Sequence, residues 1–102
     1  MDMKKMMKQA QRMQAELAKA QDEIKDLEFE ATAGGGAVKA VATGDMALKS
    51  ITIDPEAVDP EDVEMLEATV LAAVNEALRG VSDISSQRMQ AATGGMNIPG
   101  LM

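Results

Sequence analysis

A seven-residue repeat of apolar side chains near the start of the chain constrains its fold more than any other feature. Between residues 3 and 27 two sets of apolar positions recur every seven residues, and neither Gly nor Pro interrupts them. This spacing predicts a long helix with one apolar seam. Another helix has to cover the seam, because an isolated amphipathic helix is marginal in water. One set is Met3, Ala10, Leu17 and Ile24, and the other is Met6, Met13, Ala20 and Leu27.

After this helix the period of the apolar pattern changes to that of a strand. Apolar and polar residues alternate from Leu27 to Ala33, which predicts a first strand with one face in water. A triple glycine and then a Gly-Asp pair predict turns that separate it from two further short strands. The result is an antiparallel meander whose outer edges need cover or a partner. The three predicted strands span 27–33, 37–43 and 47–53.

The sequence Asp59-Pro60-Glu61-Asp62 predicts the start of a second helix. Asp59 suits the N-cap and Pro60 suits the first helical position. Apolar residues at helical spacing follow to about Gln90, with Gly80 as a weak point because glycine disfavours helix interiors. This helix is as long as the first, so the two can pair along a common seam.

Length and patterning together predict one domain that spans residues 1–102 and belongs to the α+β class. Its order is α–β–β–β–α, and we expect residues 93–102 to be a flexible Gly- and Pro-containing tail. This tail cannot be regular helix; it is apolar enough to dock and polar enough to stay flexible. A domain of this size leaves much of its surface exposed, so a second chain would supply part of the core. No apolar run approaches the roughly 20 residues that cross a bilayer, and the charged start is unlike a signal peptide. We therefore expect a cytoplasmic protein that does not enter a membrane.

The chain contains neither Cys nor His. Disulfides, thiol nucleophiles, the usual zinc sites and the commonest general base are thereby excluded. The acidic residues between 54 and 67 lack the spacing of a calcium loop, and no Gly-Lys-Ser/Thr follows the triple glycine as a phosphate loop would require. We expect no metal, no cofactor, no small-molecule substrate and no catalytic activity.

The distribution of charge indicates a different partner from the net charge of −7. Residues 1–20 carry five basic and two acidic residues, a balance of +3, whereas residues 21–102 carry five basic and fifteen acidic residues, a balance of −10. Local charges dominate within a Debye length of about 10 Å. In the heptad the basic residues of the first helix lie away from the seam, where they are either a solvated helix face or phosphate contacts. They are Lys4, Lys5, Lys8, Arg12 and Lys19.

A series of motifs in a fixed order resembles the YbaB/EbfC family of nucleoid-associated proteins. The series covers nearly the whole chain, and its most distinctive part is the Ile-Pro-Gly tail. The motifs are the Met/Lys/Gln-rich start from Met3 to Gln14, the glycine turn before Val38, Gly44, Ile51-Thr52-Ile53-Asp54-Pro55, Asp59-Pro60-Glu61-Asp62, Ala73-Val74-Asn75-Glu76-Ala77-Leu78 and Gly94-Gly95-Met96-Asn97-Ile98-Pro99-Gly100-Leu101.

The resemblance implies a homodimer joined through its sheets, with the long helices projecting in pairs as arms. It also implies binding of double-stranded DNA with low sequence preference, in nucleoid organisation and gene regulation. Both long helices are implicated in DNA contact, which places Arg88 beside the basic N-terminus at the arm tip. Carried onto this chain, the DNA-binding residues are Lys4, Lys5, Lys8, Arg12, Lys19 and Arg88, and the dimer interface is Phe29, Val38, Val41, Ile51 and Ile53.

A second interpretation stays open at this point. The first helix is rich in Met, which suits adaptable binding surfaces, and the acidic net charge does not favour DNA. The chain could instead be a dimeric protein-binding scaffold or a chaperone-like clamp.

Overall fold

The computed structural model describes residues 2–93, and its elements follow the predicted order. One long helix precedes a three-stranded antiparallel sheet of order β1-β2-β3, and a longer helix follows it after a short 3-10 turn at Pro55–Ala57. The predicted α–β–β–β–α meander is thereby confirmed. Met1 and the predicted tail from Gly94 onward lie outside the described residues. The elements are α1 (Met3–Ile24), β1 (Glu28–Ala33), β2 (Val38–Thr43), β3 (Leu48–Ile53) and α2 (Val63–Ala92).

The turn between β1 and β2 depends on its three glycines. Gly34, Gly35 and Gly36 have φ angles of 65°, 68° and 94°, a region that side chains with a Cβ rarely adopt. This turn pairs Ala33 with Val38 and sets the register of the whole β1–β2 ladder. The predicted alternation of faces follows, with the glutamates of β1 in water.

The core is a thin layer between the sheet and α2, which lies over β1 and β2. Most of its members are alanines, so helix and sheet approach each other closely, and Val38 and Val81 are the largest fully buried side chains. Small side chains bury little apolar area, which limits the stability that this core supplies. The buried cluster consists of Ala31, Val38, Ala40 and Ala42 from the sheet and Ala73, Ala77 and Val81 from α2.

Gly80 is a contact point between α2 and the sheet, not a weak point of the helix. It is buried, and a Cβ at this position would lie 2.2 Å from Cε1 of the Phe29 ring. Only glycine leaves room for that ring against the helix backbone. The aromatic side chain of β1 is therefore directed into its own subunit.

The N-cap prediction was wrong by one turn. α2 begins at Val63, and the carboxylate of Asp62 accepts a hydrogen bond from the Met65 amide at 3.3 Å. The backbone from Asp59 to Asp62 forms a separate turn, in which Asp59 Oδ1 accepts from the Glu61 amide at 2.9 Å. Two aspartates three residues apart both suit an N-cap, and the apolar pattern that starts at Val63 favours the second.

The two long helices run antiparallel but are offset along their axes. The Arg88 guanidinium bonds to Glu23 near the end of α1, while Ala92, the last residue of α2, lines a cleft with Glu16. α2 therefore reaches only to the middle of α1. Residues 3–15 of α1, which we call the arm tip, project beyond it and help to give the molecule its longest dimension of 72 Å.

The apolar seam of α1 is accordingly covered along only half of its length. Ala20 is fully buried and Ile24 partly so, whereas Met3 and Met6 in the arm tip are 72% and 49% exposed. At its other end, α1 is held against the β2–β3 turn, where the Gly44 amide donates to the Leu27 carbonyl at 2.9 Å. The predicted common seam exists, but it ends where α2 ends.

No helix in the described part of the chain is long and apolar enough to span a membrane.

Candidate nucleic-acid interface

The ten basic side chains divide into two groups of five according to whether an acidic partner neutralises them. Every base after residue 20 has a carboxylate within 4.0 Å: Lys25 with Asp22 at 2.7 Å, Lys39 with Glu30 at 3.8 Å, Lys49 with Glu28 at 2.7 Å, Arg79 with Asp83 at 2.9 Å, and Arg88 with Glu23. Among the residues that the structure describes, the five earlier bases form no such ion pair. They are Lys4, Lys5, Lys8, Arg12 and Lys19.

The paired group contributes little uncompensated charge. On α2, Arg79 bonds to both Glu76 and Asp83, and its hydrogen bond lowers the pKa of the Glu76 carboxyl. At the end of α1, the hydrogen bond with Asp22 raises the pKa of Lys25. Both shifts favour the charged, mutually neutralising forms. Positive charge that is free to attract a polyanion is therefore concentrated on the first twenty residues.

The free bases share one face of the arm tip. Because successive residues of an α-helix are about 100° apart, Lys4, Lys8 and Arg12 fall within about 80° of one another, with Lys5 at the margin. All four are exposed, and they lie on the side of the helix opposite the apolar seam. The face extends about 12 Å along the axis from Lys4 to Arg12.

Lys19 continues the same face about 10 Å beyond Arg12, where α2 ends. Together with Arg88 it lines a cleft of about 260 Å³ whose other walls are Glu16, Ala91 and Ala92. The structure thus brings these two predicted DNA-binding residues together at the middle of α1. Glu16 in the same cleft weakens their combined positive potential.

The predicted position of Arg88 at the arm tip was wrong. Its Nε donates to Glu23 Oε2 at 3.0 Å. Glu23 lies eleven residues along α1 from Arg12 and farther still from the lysines of the arm tip. An antiparallel arrangement of two helices does not fix their axial offset, and α2 ends about thirteen residues short of the start of α1. Arg88 joins the two helices instead of extending the basic face.

The predicted interface residues fall in three different environments. Val38 is fully buried beneath α2, and the Phe29 ring packs against Gly80, so neither presents its side chain to a second chain. Val41 is half-buried on the opposite face of the sheet, paired with Glu30 and Ser50. Of the five predicted interface residues, Ile51 and Ile53 are the most accessible, with 44% and 36% of their surface exposed.

Leu48 belongs with these two isoleucines, although the sequence pattern concealed it. It is 39% exposed and pairs with Ala42, while Ile51 pairs with Ala40 and Ile53 with Val38. Residues directly opposite in antiparallel strands share a face, so all three β3 side chains lie on the α2 side of the sheet. A bulge beside Val41 and Ala42 shifts the register, which puts Leu48 and Ile51, three residues apart, on one face. A period-two pattern does not detect such a pair.

The described residues contain no group of three or more carboxylates that could hold a metal ion. Two aspartates before α2 act instead as caps: Asp59 Oδ1 accepts from the Glu61 amide and Asp62 Oδ1 accepts from the Met65 amide.

Comparison with known proteins identifies the class to which this fold and basic face belong. The model of the YbaB/EbfC DNA-binding family matches residues 1–96, so the chain belongs to that family. It is 55% identical over 100 residues to a nucleoid-associated protein of Pelotomaculum thermopropionicum, covering 98% of this chain and 95% of that one. A nucleoid-associated protein of Thermoanaerobacter pseudethanolicus is 56% identical over 96 residues, which are 94% of this chain and 86% of the relative.

Among solved structures, the chain resembles the crystal structure of an uncharacterized protein from Helicobacter pylori. The TM-score is 0.69 at 23% identity, over 85% of this chain and 91% of that one. This likeness supports the fold. The family that the sequence motifs predicted, and the DNA-binding class of function that it carries, are confirmed by the family match.

Proposed function

We propose that this protein binds the phosphate backbone of double-stranded DNA through the basic face of its arm tip and organises DNA in the nucleoid, with consequences for gene expression. The observation that carries the proposal is the division of the basic residues, since the five bases before residue 21 are those that form no ion pair with any described carboxylate. Lysine and arginine on an exposed helix suit phosphate contacts, which position a protein on DNA without reading its sequence. Low sequence preference follows.

Duplex DNA fits this surface better than single strands. Binding of unpaired bases relies on aromatic side chains for stacking, and the only aromatic residue, Phe29, packs against Gly80 inside the subunit. The arm tip offers the charged side chains of Lys4, Lys8 and Arg12 and no aromatic ring on which a base could stack.

The acidic end of the molecule restricts where DNA can lie. Acidic residues cluster from Asp54 to Glu67, and the start of α2 at Val63 lies about 37 Å along that helix from Arg88. The arm tip extends in the other direction from Arg88. DNA is therefore attracted to one end of the long axis and repelled from the other, which explains how a chain with a net charge of −7 binds a polyanion.

Fluorescence anisotropy of a labelled 30-base-pair duplex tests this proposal directly. We expect saturable binding at about 50 mM salt that weakens by on the order of a thousandfold at 200 mM, as six to eight phosphate contacts from two arm tips require. Duplexes of different sequence should bind within a few-fold of one another. The absence of binding at 50 mM salt and tens of micromolar protein would contradict the proposal and would leave the basic face as a solvated helix surface.

We propose further that two subunits associate through β3 and the adjoining flank of α2. All six residues of β3 are exposed, including Leu48, Ile51 and Ile53, and an uncovered edge strand is a template for pairing with another chain. On α2, Leu71 is 62% exposed beside an apolar cleft of about 430 Å³. Leu71 lies about 180° around the helix from Gly80, which contacts β1, and the cleft residues Val70 and Val74 lie between them. A second subunit would cover both apolar surfaces and place the arm tips as a pair.

Sedimentation velocity at about 10 μM tests the dimer separately from DNA binding. We expect the wild-type chain to sediment as a dimer and Ile51→Lys to sediment as a monomer or to dissociate at least tenfold more readily, because it buries an unpaired charge. Met7→Lys is the matched control, since Met7 is also an exposed apolar residue, at 59%, but lies in the arm tip. A wild-type monomer, or equal loss of dimer in both variants, would contradict this interface.

A further inference from the structure

From Met3 to Ala10, the apolar seam of the arm tip has no cover from any described part of the chain. Met3 and Met6 are 72% and 49% exposed, and Ala10, one turn further along the seam, is exposed as well. The same seam is buried at Ala20, where α2 packs on it. A row of exposed methionines on a helix that projects into solvent is a site at which another apolar segment can bind.

The position at which the described chain stops restricts the choice of occupant. α2 ends at Ala92, beside Glu16 and Lys19 of α1. This is the level at which the exposed part of the seam begins, and α2 runs antiparallel to α1. A chain that continues in the direction of α2 therefore passes along the arm tip.

The remaining residues have the composition that the seam needs. Residues 94–102 read Gly-Gly-Met-Asn-Ile-Pro-Gly-Leu-Met, with four large apolar side chains, no charged side chain and three glycines, of which the first two let the chain leave the helical path. No lysine or glutamate opposes burial of this segment. Its apolar residues are Met96, Ile98, Leu101 and Met102.

The length of this segment also matches the length of the uncovered seam. From the level of Glu16 to Met3, α1 rises about 20 Å, and the nine residues that follow Thr93 can span up to about 30 Å. An extended path from Thr93 that follows the seam would bring Met96 level with Ala10 and Ile98 level with Met6. The segment is tethered at the point where the seam opens, so its effective concentration at the seam is of millimolar order, which a second copy at micromolar concentration does not reach.

We propose that residues 96–102 dock on the apolar seam of the arm tip of their own subunit, and so complete the helical cover that α2 begins. The docked segment shields Met3 and Met6 while the basic face, on the opposite side of α1, stays free. An arm covered in this way does not associate with other apolar surfaces. The surface that it leaves accessible to partners is its basic face. The proposal goes beyond DNA binding and does not depend on it.

Disulfide trapping in the full-length chain tests the contact, because the natural sequence has no cysteine. One variant carries Met6→Cys with Ile98→Cys, and the matched control carries Lys8→Cys with Ile98→Cys. Lys8 lies at the same level of the helix but about 160° around it from Met6. Because a disulfide needs Cα atoms within about 7 Å, we expect at least about tenfold faster intrachain closure for the Met6 pair. The intrachain product is distinguished from a linked dimer by its mass on a non-reducing gel.

Three results of this experiment would overturn the proposal. Equal closure of the two pairs would mean that residue 98 does not distinguish the two faces of α1. Linked dimers from the double variant would place the segment on a second subunit, and linked dimers from Met6→Cys alone would mean that a second arm occupies the seam.

Oxidation of methionine gives a second measurement that introduces no cysteine. Peroxide converts exposed methionine to the sulfoxide at a rate that follows exposure, and peptide mass spectrometry reports each site. We expect Met6 to be oxidised about fivefold faster in full-length Ile98→Asn, Leu101→Asn than in the wild-type chain. Met65 on α2, which is 63% exposed, is the internal reference and should not change. An unchanged rate at Met6 would overturn the proposal.

Discussion

The tip variant, in which glutamate replaces Lys4, Lys5 and Lys8, should bind a 30-base-pair duplex at least about a hundredfold more weakly than the wild-type chain at 50 mM salt. In a dimer this variant removes six of the eight positive charges on the two arm tips and puts six negative charges in their place. For each phosphate contact that is lost, DNA releases about one counterion fewer when the protein binds. The slope of log affinity against log salt should therefore shrink by up to about five.

The expected size of this effect follows from the pairing of charges, not from net charge. The control is Lys25, Lys39, Lys49→Glu, the paired-lysine variant, which changes the net charge by the same amount, from −7 to −13. Its three lysines are already bonded to carboxylates, so their replacement removes little potential that DNA can use. Exposed ion pairs of this kind contribute about 0–1 kcal/mol to stability, and circular dichroism would confirm that both variants are folded.

The comparison of the two variants decides between a local site and a general electrostatic effect. We expect the paired-lysine variant to bind within about threefold of the wild-type chain, because separated surface charges are screened over about 10 Å. If the two variants lose affinity equally, DNA does not distinguish the arm tip from the rest of the surface. If only the paired-lysine variant loses affinity, the DNA-binding face lies on the sheet or at the end of α1 next to it.

Much of the fold was predictable because its signals are local. The heptad of α1, the alternation in β1 and the glycines before β2 each occupy a few consecutive residues and need no knowledge of the rest of the chain. The helix start was predicted one turn too early, since Asp59 and Asp62 offer the same chemistry and the choice depends on where tertiary packing of α2 begins.

The candidate site was predictable only in part, because it depends on distances between elements. The basic face of α1 follows from residue spacing alone. The location of Arg88 depends on the axial offset of two helices, which no spacing within either helix records. The same limit applies to Phe29 and Val38: alternation shows that they share a face, but not that α2 of the same chain covers it.

Gly80→Ala should lower the free energy of unfolding by about 2 kcal/mol, although helix propensity alone favours the substitution. Alanine stabilises a helix interior by about 1 kcal/mol relative to glycine. At this position, however, the added methyl would lie 2.2–2.5 Å from three atoms of the Phe29 ring, and so close an overlap should cost about 3 kcal/mol, the upper end of the usual range for overpacking. Because the core between α2 and the sheet is thin and built mainly from alanines, little space exists into which the ring can move.

Urea unfolding at one fixed protein concentration would measure this loss of stability, and two further substitutions would identify its cause. Ala72→Gly, at an exposed position of α2, gives the propensity term alone, and we expect it to cost about 1 kcal/mol. Phe29→Leu removes the ring atoms that the new methyl would meet, so it should cost less in the Gly80→Ala background than in the wild-type chain, with a coupling energy of 1–2 kcal/mol or so. A stabilised Gly80→Ala would contradict the close contact. Propensity and packing predict opposite signs at this residue, so the sign of the change alone shows whether Gly80 is a flaw in α2 or the position that lets α2 approach β1.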